Sequence, residues 1–537
     1  MNPTKQKIMK SHSHNEIPHI LQRSRLHHLV LVSAPLLILL SSQSTAVAYS
    51  ETWAPSSGAT AAYWNVASNW SPDMVVPNGS MDTATFAQNF TRSVFISANI
   101  EVNGITFPSV MFPSAYTITA DPGVALNITG AGITNSSGLT QNFVTGVSAS
   151  NSGAVYFRNS ATAGTSTIFT NNGGTGPHVG GSTVFLDSAT AGNGTFINNG
   201  GMAYGIDGGG TSFLSNATAA NGTFTSNGAT VSGAYGGALR FFDNSRAGSA
   251  TLIANGGTNG GGGGSIVFGD PKSSGDTSTG DTARVEVFGN GSLDISGHDL
   301  PGLTLGSIEG NGFVFLRANN LTVGSNNLST TFSGTIQDGG YGGSLSKIGK
   351  GKLTLNFPST YTGGTTINKG TLVVKNTIDS ATGTGAMQVN LGTLEGVGKI
   401  EGAVTVGTGV GTTSRANLLG GNSNTSPGTL TINNSVTFQS DSTYKCVLNR
   451  SSRVASKVTA LGVTINNAQF AFTQVGTGTL AVGTVFRVID NITSNLAISG
   501  RFRNLSNGLV LTSNDGTKFK VNYTGGTGND LTLKVVP

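Results

Sequence analysis

Apolar side chains recur in the middle of the chain with a fixed period of 28 residues. Each unit holds three short runs in which every second residue is apolar, the alternation that β-strands show. Four units align without gaps, and equal positions hold the same residue type. The aligned rows are Phe157, Phe185, Phe213 and Phe241; then Thr167, Thr195, Thr223 and Thr251; then Asn171, Asn199, Asn227 and Asn255.

A unit of this size with three short strands cannot bury its apolar face alone. Stacking copies about 4.8 Å apart lets each backbone pair with the next coil and places equal positions above one another. We therefore predict an interior stack from the phenylalanine row. From the asparagine row we predict a side-chain amide ladder at a turn. The alternative interpretation of the asparagine row is a strip that binds a ligand.

The composition agrees with many short strands joined by tight turns. Glycine accounts for 79 of the 537 residues, 37% are hydrophobic and only 10% are charged. Low charge with this hydrophobic content argues against disorder, and abundant Gly, Asn and Thr suit turns and strands. Repetition also indicates one solenoid that grows by adding coils, in place of several globular domains.

The first 48 residues have the pattern of a secretory signal peptide. A basic and polar stretch precedes the apolar run 29–40, and an Ala-x-Ala site follows at 46–48. Twelve apolar residues are too few to span a bilayer, which needs about 20. We predict cleavage after Ala48, with an uncleaved signal anchor as the alternative. No later segment is apolar enough to cross a membrane as a helix, so we expect an exported protein without a membrane span after cleavage.

The net charge of +5 comes mainly from this leader. The leader holds five basic residues and one acidic residue, which leaves a net charge of +1 on the rest of the chain. No basic stripe with interleaved aromatic residues is present either, so the sequence gives no case for binding nucleic acid. The charged residues of the leader are Lys5, Lys7, Lys10, Arg23, Arg25 and Glu16.

A second, more specific motif occupies 345–374. It reads LSKIGKGKLTL over 345–355 and YTGGTTINKGTLVV over 361–374. Shorter stretches at 332–336, 426–430 and 519–533 accompany it, and another lies near the start at 64–86. From about residue 303 onward, the sequence resembles the autotransporter-associated β-strand repeat family of bacterial passenger-like proteins.

The resemblance implies an all-β fold, a right-handed parallel β-helix (a β-solenoid of the pectin-lyase-like type). It also implies an extracellular or cell-surface location, with the periplasm as the alternative. A self-exporting member of the family would carry a membrane barrel after the passenger. The sequence stops at Pro537 directly after the passenger-like close, so we expect neither self-secretion nor permanent attachment to an outer membrane.

These patterns divide the chain into five predicted regions. A signal peptide (1–48) precedes an N-terminal β cap with the first coils (49–145). The 28-residue repeats follow (146–302), with a loop insertion at 269–282. The last two regions are the family-like repeats (303–420) and the C-terminal coils and cap (421–537).

Residues that could carry chemistry are scarce after the leader. Cys446 is the single cysteine, and we interpret it as a small buried residue on a strand, with a reactive thiol as the alternative. His178 and His298 are the histidines that follow the leader, which gives little support for a nucleophile–histidine system. We predict no catalytic, cofactor-binding or metal-binding residues and no cofactor.

The insertion carries three acids, Asp270, Asp276 and Asp281. Carboxylates in a loop could bind calcium, but their spacing matches no calcium loop, and a solvated loop is the interpretation we adopt.

Two further carboxylates form a candidate catalytic pair. Asp187 and Asp243 lie two repeats apart, at the phase that Asn159 and Ser215 occupy in the other units. Two coils would separate them by about 9.6 Å, which suits an inverting glycosidase. We nevertheless expect a non-catalytic exported protein, structural or adhesive at the cell surface or in the extracellular matrix. Its expected partners are carbohydrate or other surface and matrix components. The alternative is a polysaccharide lyase or glycosidase on a β-helix scaffold.

Overall fold

The computed structural model describes residues 48–537 except 57–60, 88–90, 178–179, 271–274, 412, 414 and 494–495. The predicted signal peptide lies almost wholly outside the described residues and stays a prediction. Residues 48–537 form one compact unit. This unit is all-β, and the helical element within its described part is one 3-10 turn, Ala67–Asn69.

Strands follow one another along the described chain with short connections. In the first part they are β1 (Ser50–Trp53), β2 (Ala61–Tyr63), β3 (Trp70–Ser71), β4 (Gly79–Thr85), β5 (Ser93–Ile96), β6 (Ile100–Phe107), β7 (Thr117–Ala120), β8 (Ala125–Asn135) and β9 (Gln141–Thr145). In the 28-residue repeats and just after them they are β10 (Ala154–Phe157), β11 (Thr165–Asn171), β12 (Ser182–Phe185), β13 (Asn193–Asn198), β14 (Gly210–Phe213), β15 (Thr223–Ser226), β16 (Ala238–Phe241), β17 (Thr251–Ala254), β18 (Ser265–Gly269), β19 (Gly280–Val287), β20 (Ser292–Gly297) and β21 (Gly302–Gly310).

The strands of the C-terminal half are shorter at first and longer towards the end. They begin with β22 (Phe313–Phe315), β23 (Asn320–Val323), β24 (Thr330–Phe332), β25 (Thr335–Gln337), β26 (Ser344–Lys347), β27 (Lys352–Leu355), β28 (Thr365–Ile367), β29 (Thr371–Val374), β30 (Met387–Val389), β31 (Gly392–Gly396), β32 (Lys399–Ile400) and β33 (Val404–Val406). They continue with β34 (Ala416–Ser423), β35 (Ser426–Pro427), β36 (Thr429–Ile432), β37 (Val436–Phe438), β38 (Ser442–Asn449), β39 (Val454–Ala455), β40 (Lys457–Ala460), β41 (Val463–Asn466), β42 (Gln469–Val475), β43 (Val485–Asn491), β44 (Ser499–Arg501), β45 (Val510–Thr512), β46 (Lys518–Gly525) and β47 (Asp530–Val536).

Successive coils pair in parallel and build three faces. The first face stacks β1, β4, β6 and β8, then the even-numbered strands from β10 to β22, and then β25. The second face stacks β2, β5, β7 and β9, then the odd-numbered strands from β11 to β21, and then β24, β27, β29, β31, β34, β38 and β42.

The third face starts as a column of single bridges and widens into strands. The bridges join Thr162, Thr190, Thr218, Arg246 and Thr279. The column continues through the first residues of β19 and β21 into β23, β26, β28, β30, β33, β37, β41 and β44. Apart from short hairpins and the antiparallel pairs that β43, β47, β46 and β45 form at its end, the described chain is therefore a parallel β-solenoid of about 15 turns, which confirms the predicted fold class at that level.

Aromatic stacks fill the interior, as the phenylalanine row predicts. Phe157, Phe185, Phe213, Phe241 and Phe268 stack in sequence, with ring centroids 4.6–5.0 Å apart and planes within 9° of parallel. A second stack meets the first edge-on at 5.5 Å. Its members are Phe143, Phe169, Phe196 and Phe224. All of these rings are buried, so the two stacks form the core of the repeat region.

The ungapped alignment of the first unit is wrong by one residue. The register between β11 and β13 shifts after Thr165, beside Ser166, which has a positive φ of 53°. Downstream of this bulge Asn171 pairs with Asn198, and not with the predicted Asn199. A β-bulge adds one residue to one coil, which a fixed period cannot represent.

Asparagine therefore forms two different rows. The outer row is the predicted amide ladder, because Asn227 donates to Asn199 at 3.1 Å and Asn255 donates to Asn227 at 3.0 Å. The inner row is fully buried, and Asn171 Nδ2 donates to Asn198 Oδ1 at 2.9 Å. The structural interpretation is thus confirmed for three members of the predicted row.

An aromatic cluster closes the interior at the first coils. The indole of Trp70 packs edge-on against Trp53 and Trp64, with centroids 5.1 and 5.0 Å away, and Phe86 contacts all three indoles. Each indole N–H donates to a backbone carbonyl, so burial leaves none of these donors unpaired.

The phenylalanine stack makes the stability of the repeats sensitive to one ring. Phe213 contacts rings above, below and beside it, so we expect Phe213→Ala to lower the free energy of unfolding by about 3–5 kcal/mol. Urea titration followed by circular dichroism measures the loss. Tyr204→Ala, at an 82% exposed ring, is the matched control and should change it by less than about 0.5 kcal/mol. Equal effects of the two substitutions would contradict the role of the stack.

Candidate binding face

The two carboxylates of the predicted pair lie at exposed turns and bind the backbone of the preceding coil. Asp187 Oδ2 accepts from Asn159 N at 2.8 Å, and Asp243 Oδ2 accepts from Ser215 N at 2.8 Å. All four residues have a left-handed φ between 55° and 59°. Both carboxylates thus have a structural contact, and their role as a catalytic pair stays a hypothesis.

The acids of the insertion also bind the neighbouring coil. Asp276 is buried and accepts from Asp243 N at 3.0 Å and from Ser278 Oγ at 2.7 Å. Its burial raises the carboxyl pKa, although the hydrogen bonds from Ser278 act in the opposite direction. Asp281 pairs with Arg246 at 2.7 Å. In the part of the chain that the structure describes, no three His, Cys, Asp or Glu side chains gather as metal ligands would.

Cys446 lies inside the solenoid on β38, which confirms the interpretation as a small buried residue. Burial raises the pKa of its thiol above the ordinary value. The ring nitrogens of His298 lie 2.7 Å from the backbone carbonyl oxygens of Asp299 and Ser278. His178 lies outside the described residues.

The third face carries a row of seven hydroxyl side chains and one amide, Gln388, through most of the C-terminal half, which we call the hydroxyl row. Each member pairs directly with the next one in the parallel ladder, so neighbours are about 4.8 Å apart. The row is half-buried, except for exposed Thr304 at its start. Its members are Thr304, Thr322, Ser346, Thr366, Gln388, Thr405, Thr437 and Thr464.

A row of amides runs beside the hydroxyl row on the same face. Its members, Asn368, Asn390, Gln439 and Asn466, each follow a member of the hydroxyl row by two residues, the spacing that keeps side chains on one face of a strand. Asn390 donates to Asn368 at 2.9 Å, and Asn466 donates to Gln439 at 3.1 Å. We call the two rows together the hydroxyl–amide strip.

The strip follows no fixed period in the sequence, because the coils that build it differ in length. Neighbouring members of the hydroxyl row are separated by 17 to 32 residues, so no fixed period aligns them. The available signal was a recurring triplet in which a polar residue, an apolar residue and an amide follow one another. Examples are Thr366–Asn368, Gln388–Asn390, Thr437–Gln439 and Thr464–Asn466.

Two coils of the strip come from the region that carried the specific motif. Lys347 ends β26 there, is 1% exposed, and donates through Nζ to the carbonyl oxygens of Ile348, Gly349 (3.2 Å) and Lys369 (3.3 Å). Gly349 has φ 68°, and a Cβ there would lie 1.9 Å from Gly324 O. The lysine and glycine positions of the motif thus form a corner where adjacent coils approach closely.

Comparison with known families identifies this corner-forming unit. Residues 345–374 match the passenger-associated-transport-repeat family. The match confirms the family predicted from the motif, and the repeat and the solenoid together fit a protein of the passenger-domain type. A search of curated proteins finds no match to the chain. Within the described residues, no helix combines the length and the apolar run needed to cross a membrane.

The buried lysine of the passenger-associated-transport repeat should make stability depend on pH. Burial lowers the pKa of Lys347 from 10.5 to about 8. Between these values the unfolded lysine holds a proton that the folded one has lost, so the free energy of unfolding rises with pH. We expect a rise of about 1 kcal/mol between pH 8 and 9, and Lys347→Met should abolish it.

Urea titrations of both proteins at pH 7, 8 and 9 measure this difference. The series stops at pH 9 because the buried Cys446 thiol has a raised pKa, so its contribution to stability is lost as pH rises above 9.0. Since Cys446 is present in both proteins, its effect cancels in the comparison. Parallel curves for wild type and Lys347→Met would show that Lys347 does not titrate in this range.

Proposed function

We propose that this chain is a non-catalytic exported protein, structural or adhesive at the cell surface or in the extracellular matrix. We further propose that it binds neutral polysaccharide through the hydroxyl–amide strip. The signal-peptide pattern and the passenger-associated-transport repeat support export. The strip is the single observation that carries the binding proposal.

The chemistry of the strip suits a neutral glycan. Its side chains are hydroxyls and amides, which both donate and accept hydrogen bonds, as sugar hydroxyls do. Eight successive paired residues of the hydroxyl row carry no charge, so a neutral ligand can approach without burying an unpaired ion. A regular row also offers the same contact many times, so weak contacts add along a polymer.

We also propose that the solenoid is right-handed and of the pectin-lyase-like type. Connections between parallel strands of one sheet are right-handed in nearly all known cases, because right-twisted strands favour that crossover. The stacked aromatic rows and the outer asparagine ladder support a regular parallel β-helix of this type.

The alternative is a polysaccharide lyase or glycosidase that uses Asp187 and Asp243. Both side chains are exposed and lie two coils apart, which leaves the pair accessible to a polymer. Each also holds a backbone N–H of the preceding coil, which is a structural reason for a carboxylate at that position. The binding experiment below therefore measures cleavage as well.

The experiment measures retention of the purified chain on insoluble cellulose, chitin and β-1,3-glucan. We expect saturable retention, and about tenfold weaker apparent affinity for Thr405→Lys and Thr437→Lys, because contact would desolvate an unpaired ammonium group. Thr225→Lys is the matched control. It places the same charge at a half-buried, outward threonine of the second face and should bind like wild type.

Two results would contradict the proposal. If no neutral polymer retains the chain, the proposed binding role is wrong. If Thr225→Lys and Thr405→Lys weaken the apparent affinity equally, the strip is not the binding site. Release of reducing ends or unsaturated products would show an enzyme. If cleavage disappears in Asp187→Asn and Asp243→Asn, these carboxylates carry it; if it persists, another site does.

A further inference from the structure

The interior of the solenoid opens into a cleft at the end of the second face. In the described chain β42 pairs on one edge with β38, and no further strand of the second face pairs with its other edge. The segment 504–515, which includes β45, lies across the open side instead. The cleft between them has a volume of about 320 Å³, which is at the small end for ligand sites in proteins.

The floor of the cleft is apolar. Phe470 and Phe472 are inward-facing residues of β42, and their rings stack with centroids 6.5 Å apart. Leu505 and Leu511 complete the lining from the other side. These side chains offer flat hydrocarbon surface to an occupant.

A partly exposed ion pair forms one wall. Arg450 Nη1 lies 2.8 Å from Asp515 Oδ2, and another guanidinium nitrogen donates to Gly478 O. Hydrogen bonds from Ser513 and Thr517, together with Arg450, lower the pKa of Asp515 to about 2. The carboxylate is therefore charged at neutral pH and compensates the guanidinium, so the wall carries no net charge.

Two nitrogen donors in this cleft have no partner. Arg450 Nε and Gln474 Nε2 are buried and unpaired, and they are the buried side-chain nitrogens without a hydrogen bond in the described residues. Both side chains line the cleft. A buried donor without an acceptor is costly, so an occupant that supplies oxygen acceptors would relieve a real penalty.

We propose that this cleft binds one or two sugar rings of a neutral glycan. The C–H face of a pyranose would pack on Phe470 and Phe472. Ring hydroxyl oxygens would accept from Arg450 Nε and Gln474 Nε2 after a side-chain rotation that brings these two buried atoms to the surface of the cleft. The compensated charge of Arg450 disfavours an anionic ligand, and the unpaired donors disfavour a purely apolar one. The inference rests on the proposed function for its ligand class, but it needs no contact with the hydroxyl–amide strip.

Short sugars test the cleft separately from the strip, because a disaccharide reaches only about two coils and gains little from the repeated contacts of the strip. We would titrate the chain with cellobiose, chitobiose, lactose and glucuronate and follow binding by saturation-transfer NMR and calorimetry. We expect saturable binding of at least one neutral disaccharide. Gln474→Met and Arg450→Lys should each weaken it about three- to tenfold, because each removes one donor while keeping similar bulk or charge.

A stability measurement supplies a second readout. Without sugar, Gln474→Met should unfold at a higher temperature than wild type, because methionine removes the unpaired donor from the cleft. Gln337→Met, at a half-buried glutamine of the first face outside both the strip and the cleft, is the matched control. It should leave disaccharide binding unchanged.

Three outcomes would overturn the inference. They are absence of binding by every neutral disaccharide, binding of glucuronate alone, or disaccharide binding that Gln474→Met and Arg450→Lys leave intact. If insoluble glycans retain the chain but no disaccharide binds, the cleft is not a sugar site and the proposed function stands. If neither retention nor disaccharide binding is observed, the proposed function fails as well.

Discussion

Each coil of this solenoid rests on a near copy of itself, and the parallel ladder forces equal positions into contact. Every row must therefore be compatible with its own repetition. Phenylalanine satisfies this by stacking at 4.6–5.0 Å, and asparagine satisfies it by donating to the asparagine of the coil before it. Glycine permits the closest approach, as at Gly208, where a Cβ would lie 2.4 Å from Gly236 O. The composition of the chain follows from this contact between like residues.

The same constraint explains why charged residues are few and where they stand. Like charges on adjacent coils would repel across about 4.8 Å. At the phase of Asp187 the four aligned units carry asparagine, aspartate, serine and aspartate, so a neutral residue separates Asp187 from Asp243, whereas Asp276 of the next coil lies beside Asp243. Each binds a backbone N–H of the preceding coil. Asp338 in the family-like region binds in the other direction, because its carboxylate accepts from Thr362 N of the following coil at 2.9 Å.

Sequence predicted the features that depend on regular repetition and missed those that depend on coil length. The phenylalanine stack follows directly from a 28-residue period, and the buried state of Cys446 follows from its place in an apolar strand. The bulge at Ser166 moved Asn171 into a different row, because one inserted residue changes which side chain faces inward. The hydroxyl–amide strip could not be predicted for a related reason. Backbone pairing aligns residues whose separation along the chain varies from coil to coil, so no fixed period indicates the strip. The cleft could not be predicted, because one of its sides is β42 and the other is a segment that does not continue the second face as a further strand.

At the end of the stack a row no longer meets an equal residue on a further coil, and this gives the cleft its chemistry. Inside the repeats, the amide of Asn198 meets Asn171 on one neighbouring coil and lies 3.5 Å from Ser226 on the other. Gln474 also faces inward, but no strand follows β42 on its face to supply the next partner. The opposite end is closed by tryptophans whose single donors all reach backbone carbonyls. A closed end thus stabilises the solenoid, whereas an end with unpaired donors and an apolar floor is suited to take a ligand in place of a further coil.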